Sequence, residues 1–136
     1  MWKGLFEQFI RKVFAVSEED RIALRSELAE AESQLQRLSV SDSPDRFEVE
    51  QQLELIRQIT MIRTRFEEYA EQVPLLERAV KMREKLLDSA PDFDADRDDF
   101  IAQLMHFAFV LDELGKKDRA TEMRSRAREL RAELRM

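Results

Sequence analysis

Cysteine is absent and histidine occurs once, at His106. Thiolate nucleophiles, disulfides and thiolate metal sites are therefore excluded together. His106 stands between Met105 and Phe107, one turn from Gln103 and Val110 on a predicted helix. No nucleophile motif or second histidine accompanies it, so a Ser/His/Asp arrangement has nothing to anchor it. The remaining chemistry belongs to carboxylates and arginines. The run from Asp92 to Asp99 alternates acids in the manner of an EF-hand calcium loop. Arg97, however, occupies the position that needs glycine, and Gln103 the position that needs a bidentate glutamate. Helix capping and favourable charge at a helix start account for these aspartates more simply. Near the end of the chain, Arg119, Arg124, Arg126, Arg128, Arg131 and Arg135 are interleaved with Glu122, Glu129 and Glu133. That pattern reads as a solvated helix face that could also receive acidic peptide groups. No enzyme, metal or cofactor is implied.

The elements that must carry these residues follow from composition. The chain has 136 residues with 43% hydrophobic and 38% charged, enough for one core and too apolar for a disordered polyelectrolyte. Two glycines and three prolines cannot supply the turns of a β-sandwich or the loop of a Rossmann fold. An all-α protein is expected. The net charge of −6 argues against nucleic acid as the main partner. Its distribution is uneven: residues 1–16 carry +2, 17–44 carry −4, 45–87 carry −1, 88–115 carry −7 and 116–136 carry +4. No apolar run approaches a membrane span, and the N-terminus lacks the pattern of a signal peptide, so the cytoplasm is the expected compartment.

Helical period runs through the whole sequence. Trp2, Leu5, Phe6, Phe9, Ile10, Val13 and Phe14 form one broad apolar face over residues 2–16. Ser17 opens a cap-like Ser-Glu-Glu-Asp, after which Leu24, Leu28, Ala31, Leu35 and Leu38 make a narrow stripe suited to an intramolecular hairpin. A loop follows at residues 39–45, with Ser43 as a cap and Pro44 in a first turn. The next helix is expected to carry Val49, Leu53, Leu55, Ile56, Ile59, Ile62, Phe66 and Tyr69. Pro74 must begin or end an element, and Leu75 to Leu87 repeats at helical spacing. The stretch from Ser89 to Asp99 reads as an acidic turn. A final pair, Phe100–Leu114 and Lys116–Met136, is divided at Gly115, a residue fitted to the left-handed position that closes a helix. About six helices in antiparallel hairpins are expected, with residues 1–16 as an amphipathic helix and 17–136 as a single helical-repeat-like domain.

Within the last 70 or so residues lies a weak repeat. Tyr69 to Leu87 contains Pro-Leu-Leu-Glu-Arg-Ala followed by Arg-Glu-Lys-Leu-Leu, while Leu104, Phe107, Ala108, Leu111, Gly115, Ala120 and Ala127 step three, one, three, four, five and seven. These residues resemble the tetratricopeptide repeat of the kinesin light chain type. The match departs from the family at Glu67, where a turn glycine belongs, at Lys117, where an aromatic belongs, and at Arg124, where a large apolar residue belongs. Residues 1–52 do not take part in it. The resemblance implies paired helices whose first members line a groove for a peptide or helix of another protein, an adaptor or scaffold role. Helical phase then points to Gln103, His106 and Val110, with Arg63 as the earlier counterpart. The alternative is a peripheral membrane or self-assembling protein that attaches through Trp2, Leu5, Phe6, Phe9, Ile10, Val13 and Phe14. That helix would be about 24 Å long, too short to span a bilayer and long enough to lie on one or in a homo-oligomer interface.

Overall fold

A computed structural model describes residues 17–38 and 45–134, and all of the structured part is helical. The described helices are α1 (Glu18–Leu38), α2 (Arg46–Arg65), α3 (Val73–Ser89), α4 (Asp94–Glu113) and α5 (Lys117–Leu134), with a 3₁₀ turn at Ala70–Gln72 before α3. The expected helix at 2–16 and the expected cap at Ser43 and Pro44 lie outside the described residues. The other five expected helices are present.

Local chemistry sets the boundaries. Ser17 Oγ accepts from the backbone N–H of Asp20 at 3.2 Å, and three acids fill the first turn of α1, facing the positive end of its dipole. Asp45 caps α2 by accepting from the backbone N–H of Glu48 at 2.9 Å. Pro74 sits in the first turn of α3, where a missing N–H costs nothing. One boundary departs from expectation: α4 begins at Asp94, inside the stretch read as a turn, and its cap is Phe93 with no side-chain hydrogen bond. The aspartates are therefore not caps. Asp94 and Asp96 lie within the first turn, and Asp96 is buried against Arg46, which holds both carboxylate oxygens at 2.7 and 2.9 Å.

Consecutive helices run antiparallel, as their side-chain pairs show. Arg25 meets Glu68 and Glu32 meets Arg63, while the carbonyl of Leu38 accepts from Gln52. Arg83 meets Gln103, and Gln72 meets His106. Arg124 meets Asp112, and Arg97 meets Glu133. Two apolar clusters follow from this order. One joins Leu28, Ala31 and Leu35 of α1 to Ile56, Ile59 and Ile62 of α2 and to Ala79 and Leu86 of α3. The other joins Leu76 and Leu87 of α3 to Phe100, Leu104 and Phe107 of α4 and to Ala127 and Leu130 of α5. α3 is thus shared, with one face for each cluster.

α2 and α4 repeat with one offset at both ends. Arg46 and Asp94 start α2 and α4, and Arg65 and Glu113 end them, in each case 48 residues apart. Both ends close in the same way. Glu68 N–H donates to Arg63 O at 2.9 Å and Glu67 N–H to Thr64 O at 3.0 Å, while Lys116 N–H donates to Leu111 O at 2.8 Å and Gly115 N–H to Asp112 O at 3.0 Å. This is the Schellman pattern, which needs a left-handed residue after the cap. Gly115 supplies it at φ +76°, and Glu67 supplies it at φ +57° in spite of its side chain. The buried alanines Ala79 and Ala127 keep the same offset, and so does Ala31, 48 residues before Ala79.

Candidate functional site

α2 and α4 lie side by side across the face of α3 and leave a cleft of about 240 Å³ between them. Its apolar surface is formed by Leu53, Ile56, Thr60 and Met61 of α2, Leu76 of α3 and Ala102 of α4. Polar groups converge on it from Arg57, Arg83, Asp99, Gln103 and His106. The volume is below that of cofactor-sized sites and accommodates one or two side chains of a larger ligand. Large apolar side chains stay exposed on its two flanking helices: Met61, which lines the cleft, and Met105 and Phe109 of α4 are 53%, 43% and 44% accessible.

The hydrogen bonds around His106 fix its state. Gln72 is fully buried, and its Nε2 donates to Thr64 Oγ1 at 3.0 Å and to Glu68 O at 2.9 Å. Its Oε1 is therefore an acceptor, and it lies 3.1 Å from His106 Nε2. His106 accordingly carries its proton on Nε2 and leaves Nδ1 as an acceptor. Burial lowers the His106 pKa from 6.5, so the ring is neutral at pH 7.

Arg83 and Gln103 form a second polar pair. Arg83 Nε donates to Gln103 Oε1 at 3.0 Å, which assigns that amide and leaves Gln103 Nε2 buried without an acceptor. The closest carboxylate in an ion pair with Arg83 is Asp99, at a long 3.9 Å. Burial pushes the Arg83 guanidinium down from its usual range, partly offset by Asp99 and more distant acids. A half-buried arginine with a weak counter-ion and a buried amide with a free donor both favour an incoming acceptor.

Of the residues singled out by helical phase, the structure brings Gln103 and His106 together in the cleft and leaves the other two elsewhere. Val110 is fully buried in the α3–α4–α5 cluster, against which Tyr69 and Val73 also pack. Its assignment to a groove is corrected: the segment joining α2 to α3 roofs the last turns of α4, with Tyr69 edge-on to Phe109 at 5.9 Å. Arg63 is a strap between helices. Its guanidinium lies 2.6 Å from Glu32 of α1 and 3.3 Å from Glu68, and it borders a different hollow with Leu35, Ile59 and Leu75. Arg83, Met61 and Met105 were not singled out by sequence. The Met61 and Met105 positions carry a readable signal, large apolar residues on the polar side of their helices, whereas Arg83 has none.

Trp2, Leu5, Phe6, Phe9, Ile10, Val13 and Phe14 lie outside the described residues. Among the described residues no helix is long and apolar enough to cross a membrane, and no group of three or more acids or histidines is arranged to hold a metal ion. Compared with protein-family models, curated proteins and solved structures, the chain finds no match.

Proposed function

We propose that this chain is a noncatalytic, tetratricopeptide-like interaction module that receives a peptide segment of another protein in the α2/α4 cleft. The observation that carries this reading is the pairing of unmet donors with exposed apolar side chains. Gln103 Nε2 and the Arg83 guanidinium call for a carbonyl or carboxylate, and Met61, Met105 and Phe109 offer a flexible apolar rim. Methionine suits such a rim because its unbranched, polarizable chain repacks around different partners. An amphipathic peptide with one acceptor between apolar anchors satisfies both features. The 48-residue offset between α2 and α4 is longer than the family's repeat of about 34 residues, so it supports stacked equivalent hairpins with their first helices side by side rather than the family itself.

The test uses peptides selected for binding from a random display library. Ala102 is exposed and lines the cleft, so Ala102→Arg fills it without disturbing a core. Selected peptides should lose at least tenfold in affinity for Ala102→Arg and for Gln103→Leu while the melting temperature stays close to that of the parent, an expectation of roughly 1.4 kcal/mol or more. Undiminished binding to both variants would refute the assignment of the cleft.

A further inference from the structure

The two ends of the α2/α4 cleft differ in chemistry. α3 runs antiparallel to both walls, so Arg83 lies toward Asp99 and Gln103, while Leu76 lies toward the end where Gln72 meets His106. These two residues of α3 are seven positions apart, about 10 Å along the helix axis. The Leu76 end is lined by Thr60 and Met61 as well. The Arg83 end is polar.

That polar end is short of negative charge. The Arg83 side chain is 16% exposed, and the acids around it are engaged elsewhere or out of reach. Arg46 holds Asp96 at 2.7 Å and Glu50 at 3.0 Å, and Arg57 holds Glu54 at 2.7 Å. Asp99 is 66% exposed and stops 3.9 Å from Arg83 Nη1, beyond hydrogen-bond length. Arg57, the other cation of the lining, is satisfied by Glu54. The downward push that burial gives Arg83 agrees with a cation lacking a counter-ion.

The free donors match one kind of group. Arg83 Nε is spent on Gln103 Oε1, which leaves the guanidinium Nη groups and the buried Gln103 Nε2 to receive a ligand. Two adjacent donor groups suit the two oxygens of a carboxylate. A neutral carbonyl would meet the donors and leave the half-buried charge uncompensated. Chain termini are captured by exposed backbone amides. The residues lining this cleft lie inside helices, where those amides are already bonded, so the fitting carboxylate belongs to a side chain.

We infer that the polar end of the cleft takes the side-chain carboxylate of a glutamate or aspartate in the docked peptide, held by Arg83 and Gln103, while an apolar side chain of the same peptide enters over Leu76. The inference rests on the docking function proposed for the cleft, and it makes Arg83 the residue that selects an acid.

Peptides display-selected on the parent chain should carry an acidic residue and an apolar residue at a fixed spacing. For one such peptide, fluorescently labelled and followed by anisotropy, replacing its acid by the isosteric amide should cost about tenfold in affinity for the parent and nothing for Arg83→Met. Gln103→Glu, which sets a carboxylate against Arg83, should reverse the preference so that the amide peptide binds better. An unchanged melting temperature shows that a variant folds; if Arg83→Met does not, Gln103→Glu decides. Equal affinity of acid and amide peptides for the parent, with both weakened by Ala102→Arg, would overturn this inference and leave the docking cleft standing. Binding of both peptides indifferent to Ala102→Arg would overturn the two together. An acid preference that persists in Arg83→Met and Gln103→Glu alike would place the carboxylate elsewhere and also overturn the inference.

Discussion

The hairpin α2/α3 and the hairpin α4/α5 share the bounds of their first helices and the turns that close them, yet they are filled differently. Where the second has Phe100, Ala108, Leu111 and Ala120, the first has Gln52, Thr60, Arg63 and Gln72, each 48 residues earlier. All of these are buried except Arg63, which is partly so. The polar set is tolerated because it is bonded. Thr60 Oγ1 donates to Ile56 O at 2.9 Å, Gln52 reaches both Leu38 O and Arg78, and both ends of the Gln72 side-chain amide are occupied. Each bond also crosses to a neighbour or back to the helix itself. The first hairpin is the middle of the described stack, and its polar interior ties it to α1 on one side and α4 on the other. The second is held by apolar burial alone over the same positions. A single backbone plan thus accepts either filling, provided that no buried polar group is left unmet.

The comparison can be broken most severely in the apolar hairpin. Phe107 is fully buried, and Phe107→Ala should cost about 3–5 kcal/mol by urea unfolding. In the polar hairpin the sensitive residue is Gln72. Gln72→Leu keeps the volume but leaves the His106 N–H without its acceptor and Thr64 Oγ1 without its donor, for a loss of roughly 1–3 kcal/mol. Gln72→Ala, which installs the residue of the second hairpin, should be no better tolerated, because the orphaned partners remain. A smaller effect separates the two closing turns. An added Cβ at Gly115 meets no atom within 4 Å, so Gly115→Ala should cost only the left-handed backbone penalty of about 1 kcal/mol, whereas Glu67→Gly should stabilise by about as much. Opposite signs in the same unfolding assay would sharpen the equivalence of the turns; equal signs would break it.

The smallest expected effect is a dependence on pH. His106 has a pKa lowered by burial from 6.5, so below that value the unfolded chain takes up a proton that the folded chain resists. Stability should therefore fall as pH drops from 7 through 6, and it should rise again as pH returns. His106→Gln, which can still donate to Gln72, should flatten that part of the profile. A slope unchanged by the substitution would place the titration elsewhere.

Much of the fold is legible in local patterns. The spacing of Leu24 to Leu38, the start at Pro74 and the stop at Gly115 all state their element directly, because periodicity, a missing N–H and a positive φ act within one or two turns. The start of α4 is not, since an aspartate-rich stretch looks like a turn although acids are also favoured in a first helical turn. Ala31 was open to view, but its leucine stripe invites a coiled-coil reading and hides the offset shared with Ala79 and Ala127. The candidate site is only half legible. Helical phase places Gln103 and His106 on one face of α4, but it carries no information on what covers that face. Val110 is lost to burial in the α3–α4–α5 core, and Arg63 is drawn away by Glu32, 31 residues distant. Arg83 enters the cleft from a third helix. Such relations depend on how separate segments meet.

The central claim is that the α2/α4 cleft is the docking surface, and the four methionines among the described residues test it directly. Met61 lines that cleft and Met105 is exposed on α4, the helix that forms its other wall, whereas Met82 and Met123 pack against the two cores. Methyl-labelled methionine spectra recorded during titration with a display-selected peptide should show shifts at Met61 and Met105 and none at Met82 and Met123. Shifts confined to the second pair, or absent from the first under saturating peptide, would contradict the account.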